Sequence, residues 1–189
     1  VAARKAVEQE LSKEKIMEAA RELFVTHGYR HVSMRQIAKE LGYSHGSIYY
    51  HFRNKADLFY SLVNQDFALL DQKLEEVLRQ DLEPARKLEQ VLLGYIQFGL
   101  DNQSHYEIML VIKDEELASK LQEKPNQSYE KFAQAIYYLS GQKANAALIW
   151  SIFLSLHGFV AHYCRSGHSF ADVETMARFH VQNLLKWLA

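Results

Sequence analysis

The stretch Ile37-Ala38-Lys39-Glu40-Leu41-Gly42-Tyr43-Ser44-His45-Gly46-Ser47-Ile48-Tyr49-Tyr50-His51-Phe52-Arg53-Asn54-Lys55-Ala56-Asp57-Leu58 decides the fold. Gly42 ends a short segment opened by Ser33, in which Met34, Ile37, Ala38 and Leu41 share one helical stripe and Gln36 completes a capping box with Ser33. Ser44, two residues past Gly42, is a second N-cap, and His45 to Phe52 has room for two further turns. The pattern is helix, tight glycine turn, helix. At about 100° per residue, Ile48 and Phe52 point together into a core, whereas Gly46, Ser47 and Tyr50 point away and Tyr49 lies on the flank. Such a face offers little to packing, but it has the size and donors to meet groove edges and phosphates. Asn54 then caps another helix, with Asp57 at its third position and Lys55 in its first turn. A helix N-terminus beside a lysine is a seat for phosphate.

Upstream, Ile16, Ala19, Ala20, Leu23 and Phe24 form one apolar stripe, so a first helix runs from about Ser12, its N-cap, to His27, where Gly28 ends it in a left-handed conformation. Downstream, Ala56 to about Gln80 lacks glycine and proline and forms one helix of roughly 36 Å. Pro84 starts the next, which reaches about Asn102, and Ser104 caps a short helix through Val111. The polar stretch Lys113 to Gln127 is the best candidate for a loop or frayed helix, before a helix from Ser128 to Leu139. Two more helices close the chain, Ala144 to Arg165 and one following Ser166-Gly167-His168.

Composition agrees with an all-α chain. Two prolines and eight glycines in 189 residues leave little to stop helices, and 48% hydrophobic residues suffice for a core. No run of about 18 uncharged apolar residues stands out and the N-terminus is charged, so neither a membrane span nor a secretory signal is expected and the chain reads as cytoplasmic. The single cysteine, Cys164, excludes an internal disulfide and a thiolate zinc cluster. The net charge of -1 divides into +3 over residues 1–60 and -4 over 61–189, a modest basic end on an acidic body.

Residues 12–60, and above all the string Gly-x-Ser-x-Gly-x-Ile-Tyr-x-His-Phe-x-x-Lys from Gly42 to Lys55, resemble the AcrR-like DNA-binding signature of the TetR family of transcriptional regulators. The resemblance implies a helix-turn-helix domain over residues 1–60 and a ligand-binding and dimerisation domain over 61–189. It implies that His45, Gly46, Ser47 and Tyr50 face the major groove of operator DNA, with Tyr49, His51 and Lys55 bracing phosphates and Ser33, Arg35 and Ser44 beside them. Met34 also matches a DNA-approaching position, but its side chain suits the core. The segment Trp150 to His162, with Leu156-His157-Gly158-Phe159, resembles the tryptophan-histidine-glycine type of C-terminal domain in that family.

In the body, Ala144 to Arg165 is apolar nearly all round and must be covered on all sides. A second subunit is the economical cover, and a homodimer through the last two helices is also what the resemblance implies. Two recognition helices one duplex turn apart, about 34–36 Å, would read a palindromic site. The resemblance implies a small-molecule effector, and Phe98, Tyr106, Met109, Tyr129, Trp150, Phe153 and His157, with Phe132 and Tyr137, are the candidates to line its pocket. Cys164 reads as a buried, inert thiol, and the histidines at 157, 162, 168 and 180 lack the spacing of a metal site, so neither cofactor nor metal is expected. The best reading is a repressor released by a small hydrophobic effector and not an enzyme. The alternatives are an all-α enzyme or metal-binding bundle, which lacks a nucleophile with its base or a phosphate loop, and a regulator that needs no ligand or activates.

Overall fold

The computed structural model describes residues 11–112 and 123–188. These residues are helical without strands, and they divide into two compact units, Val1–Leu62 and Val63–Ala189.

In the first unit, α1 (Lys13–His27) opens where Ser12 Oγ accepts the Lys15 N–H at 3.3 Å. It closes at Gly28, whose φ of 81° is positive but whose ψ of 150° lies outside the left-handed helical region expected for it. The extended ψ feeds a 3-10 turn, Tyr29–His31, that periodicity did not reveal. α2 (Met34–Leu41) carries the Ser33–Gln36 capping box and ends at Gly42, here in the left-handed region at φ 72°, ψ 21°. α3 (His45–His51) starts at Ser44, which accepts the Ser47 N–H at 3.2 Å. α4 (Lys55–Leu78) begins with a reciprocal cap: the Asp57 N–H donates to Asn54 Oδ1 at 2.8 Å and the Arg53 N–H to Asp57 Oδ2 at 2.9 Å. The unit's core is the ring cluster Phe24, Tyr29 and Phe59, with centroids 5.0–5.5 Å apart, together with Ile16, Ile37 and Ile48. Each such side chain contributes about 1.5–3 kcal/mol by burial. Met34 is buried, as its side chain demands.

The second unit is built on α5 (Pro84–Asp101), which starts at Pro84. α6 (Gln103–Tyr106) follows Asn102, so Ser104 lies inside the helix and does not cap it as expected. α6 runs directly into a single π turn, Glu107–Val111, in which the Ile112 N–H reaches the Glu107 carbonyl at 2.8 Å. α7 (Glu123–Leu139) takes in Pro125 in its first turn and so corrects the expected start at Ser128; residues 113–122 of the anticipated loop lie outside the described residues. Proline is tolerated there because the first-turn N–H groups lack intrahelical partners. α8 (Ala146–Tyr163) is capped by Asn145, and α9 (Phe170–Leu185) by a Ser169–Asp172 pair at 2.7–2.8 Å. A 3-10 turn, Lys186–Leu188, follows.

α5 packs against α7, α8 and α9 around Leu92, Ile96, Ile136, Ile152, Leu156 and Val181. Contrary to the sequence reading, α8 is an uncharged run of 18 residues with mean hydropathy 1.4, long and apolar enough by length and composition to cross a membrane. Only 22% of it is buried. Its inner face, Ile149, Ile152, Leu156 and Val160, belongs to the unit's core, whereas Trp150, Leu154 and Gly158 face outward.

Candidate nucleic-acid interface and ligand cavity

α3 is held by its inner face and presents its outer one. Ile48 and Phe52 are buried, while His45, Gly46, Tyr49 and Tyr50 are exposed, Tyr50 to 87%. A tyrosine left in water to that extent in a folded unit has its ring and hydroxyl available to a partner. The rings are ordered locally: His45 lies edge-on to Tyr49 at 4.7 Å and Tyr50 edge-on to His51 at 5.6 Å. Ser44 and Ser47 hydroxyls meet at 2.7 Å while Ser44 caps α3, and Ser33 Oγ is engaged in the α2 cap. These serines thus fix the two helix starts, where free N–H groups favour anions. Arg35 is exposed at the start of α2. Lys55 is turned inward: its Nζ donates to the Tyr29 carbonyl at 2.8 Å and sits 4.1 Å from the Tyr29 ring centroid. Its ammonium ties α4 to the 3-10 turn in addition to placing positive charge near the start of α4. All ten residues expected at a DNA surface thus fall within α2, α3 and the caps and first turn beside them.

In the second unit, a cavity of about 270 Å³ opens between α4, α5, α7 and α8. Tyr95, Tyr129, Phe132, Trp150 and Phe153 form an aromatic wall, in which Trp150 and Phe153 stack at 5.2 Å and Tyr129 is edge-on to both. Leu110 of the π turn also lines it, and π turns recur at functional sites. Two charged groups reach the lining, Lys73, which is paired with Glu76 at 2.9 Å, and Asp71. Asp71 is 4% exposed, and it accepts from Lys124 Nζ at 2.8 Å and from Ser128 Oγ at 2.5 Å, with Lys131 Nζ at 3.2 Å. Burial pushes its carboxyl up, but the bonds from Lys124, Ser128 and Lys131 outweigh that and hold it below its ordinary value, so it is ionised and neutralised in place.

Three of the expected ligand residues, Tyr129, Trp150 and Phe153, line this cavity, as does Phe132. Phe98, Tyr106, Met109 and His157 are not among its lining residues. Tyr106 is wholly buried, its hydroxyl 3.1 Å from that of Tyr95 and 2.6 Å from His157 Nδ1; burial pushes its pKa well above the phenol range and keeps it neutral. Phe98 lines a different cleft and Tyr137 is partly exposed. Tyr95, Leu70 and Leu74 also line the cavity and were not among the residues expected there. The only signal was Asp71 between leucines 70 and 74, a carboxylate within an apolar stripe. Cys164, expected to be buried, is only half-buried, and a carboxylate stands beside it. Its Sγ is 3.8 Å from Glu107 Oε1, while Glu107 Oε2 accepts from Arg165 at 2.6 Å, and burial with that carboxylate pushes the thiol up to about 11.

Residues 16–62 match the family described as bacterial regulatory proteins, tetR family. An HTH-type transcriptional regulator of Staphylococcus aureus is 34% identical over 94 residues, 49% of this chain and 50% of that protein, so the chain spans about half the length of such relatives. The fold of the transcriptional regulator FadR from Bacillus subtilis, solved in complex with stearoyl-CoA, matches with a TM-score of 0.77 at 19% identity over 92% of this chain and 97% of that one. Pseudomonas aeruginosa NalD, the secondary repressor of the MexAB-OprM multidrug efflux pump, matches with a TM-score of 0.71 at 24% identity over 92% and 94%. The helix-turn-helix string of α2 and α3 and the exposed face of α3 thus fall within the segment, residues 16–62, that is similar to the tetR family of bacterial regulatory proteins, and the all-α body shares its fold with solved transcriptional regulators.

Proposed function

We propose that the protein is a DNA-binding transcriptional repressor, acting as a homodimer on a palindromic operator and released when an apolar small molecule occupies the body cavity. The observation that carries the DNA reading is the outer face of α3: Gly46 and Ser47 leave room for close approach, and Tyr50 stands out in solvent behind a capped helix start. Tyr49, His45, His51 and Arg35 complete the surface, with phosphate contacts fixing register and α3 reading base edges, while Lys55, engaged with Tyr29, adds positive charge at its edge.

The dimer reading rests on apolar surface at the end of the chain. Trp150 and Leu154 of α8 and Met176 and Phe179 of α9 are exposed, Phe179 to 62%, and a Cβ on outward-facing Gly158 would meet nothing within 4 Å. Exposed large apolar side chains on two neighbouring helices call for a partner helix pair. An effector role for the cavity is supported by its aromatic wall and by the ligand-bound and efflux-repressing proteins of the same fold.

The test is binding of the purified protein to duplex DNA from the promoter region beside its gene, with Tyr49→Ala/Tyr50→Ala and Arg35→Ala as variants. The tyrosine pair should weaken binding at least tenfold. Arg35→Ala should flatten the salt dependence by about one phosphate contact. Wild-type affinity in both variants would remove α3 and the start of α2 from the contact surface. In sedimentation, Leu154→Glu/Phe179→Glu should convert dimer to monomer.

A further inference from the structure

α5 carries two glycines, and packing explains only one. A Cβ on Gly99 would lie 2.4 Å from Val160 Cγ1 and 3.0 Å from Tyr106 Cδ2, so the α5–α8 crossing excludes a side chain there. A Cβ on Gly94 would meet no atom within 4 Å, yet this residue is half-buried in the middle of an 18-residue helix, where only proline is a poorer choice. The space beside it belongs to two hollows. Gly94 lines the apolar cavity and also a second cleft, of about 490 Å³, on the far side of the α4–α5 seam. Lys73, Val77 and Gln90 line both as well. Residues 73 and 77, like 90 and 94, are one turn apart, so the hollows meet along a single seam.

The two hollows differ in chemistry. The first has the aromatic wall described above. The second is edged by the side-chain amides of Gln80, Gln97 and Asn102 and by three cations, Lys73, Arg86 and Arg178, against three carboxylates, Glu76, Glu89 and Asp101. Its cations are already held, Lys73 by Glu76 at 2.9 Å, Arg86 by Glu89 at 2.7 Å and Arg178 by Glu174 at 2.6 Å. A charge-balanced cleft with amide donors and acceptors suits an uncharged, hydrogen-bonding group better than a bare anion.

Resting on the reading of the apolar cavity as the effector site, we propose that the effector is an amphiphile with an uncharged polar head. Its apolar part lies against Tyr95 and Phe153, its head lies in the polar cleft, and its neck crosses the α4–α5 seam over Gly94, whose missing side chain leaves the passage. Gly94 is a specificity-determining position: it decides whether a ligand can occupy both hollows at once.

Calorimetric titration of the full chain with hexyl, heptyl and octyl β-glucoside below their micelle concentrations tests this, with toluene as a wholly apolar probe and octanoate as an anionic one. Affinity should rise about fourfold per methylene, and octyl glucoside should bind more tightly than octanoate. Gly94→Leu should lower glucoside affinity about tenfold or more, whereas Gly94→Ala should melt higher than wild type and still bind the glucosides. Gln97→Ala, on the cleft alone, should weaken the glucosides and spare toluene. If toluene binds wild type but Gly94→Leu and Gln97→Ala take up glucoside normally, or octanoate binds more tightly, the bipartite site is refuted while the cavity reading stands. If neither toluene nor any glucoside binds wild type, the cavity reading fails and the bipartite site with it.

Discussion

Asp71→Asn removes one charge from the cavity wall and almost no volume, and the structure allows its cost to be worked out. The carboxylate is 4% exposed and holds Lys124 at 2.8 Å and Lys131 at 3.2 Å. A hydrogen bond to a charged group contributes about 1.5–3 kcal/mol. Lys124 is a quarter exposed, which allows water to replace part of that, and the half-exposed Lys131 pair adds about 0–1 kcal/mol. The amide oxygen of asparagine still accepts from Ser128 Oγ, so that bond is kept. The expected loss is about 2–3 kcal/mol, or roughly 4–12 °C in Tm for a chain of this size. Both tryptophans, Trp150 and Trp187, lie in the second unit, so fluorescence-detected unfolding follows that unit alone.

The same carboxylate supplies a pH test whose sign is fixed. Its folded value lies below the ordinary 3.8, so the unfolded chain takes up the proton first as pH falls. Wild type should therefore hold its full advantage over D71N above about pH 5 and lose it as pH drops through 3.8 and then through the folded value. A double-mutant cycle with Lys124→Met should give a coupling of about 1 kcal/mol or more. Equal stability of D71N and wild type at neutral pH, or a difference that persists unchanged in acid, would refute the assignment of Asp71 as an ionised, lysine-held wall residue.

Gly99→Ala should cost about 1–3 kcal/mol in urea unfolding, because its Cβ would overlap Val160. Ser44→Ala should destabilise the first unit by about 1 kcal/mol, read by amide exchange in α3, since it deletes the oxygen that caps that helix. Burial between α8 and α9 lowers the His180 value below 6.5, so the unfolded chain binds the proton first and stability should fall as pH drops below 6.5; His180→Gln should remove that slope. With its thiol raised from 9.0 to about 11, Cys164 should carry about a hundredth of the ordinary thiolate fraction at neutral pH, so iodoacetamide should alkylate it about a hundredfold more slowly than a free thiol.

The first unit was legible almost residue by residue because local rules govern it. Ser12, Ser33, Ser44 and Asn54 each cap the helix that follows, and Gly42 adopts the left-handed conformation that a turn between α2 and α3 requires. What escaped was the 3-10 turn at Tyr29, whose conformation is set by long-range contacts: its ring against Phe24 and Phe59, its carbonyl against Lys55. The body was less legible for the same reason. Aromatic residues at helical spacing identify a core stripe, but whether Tyr95 or Tyr106 faces a hollow depends on which helix crosses which, and α4 contributes to the cavity through leucines indistinguishable in sequence from those of any amphipathic helix.

Gly94 and Gly99 show where such legibility ends. Five residues apart on one helix, both carry the same propensity penalty of about 1 kcal/mol, and periodicity gives neither a role. The difference lies wholly in what stands opposite: Val160 and Tyr106 press on Gly99, and nothing presses on Gly94. A glycine that packing demands is repaid by closer helix contact. A glycine facing empty space must be repaid by something that is not part of the chain, and at Gly94 that space borders an apolar cavity on one side and a charge-balanced cleft on the other. Gly94→Ala is therefore predicted to stabilise the free protein by about 1 kcal/mol where Gly99→Ala destabilises it. A stabilisation left unused at Gly94 is what a position kept open for a ligand should show.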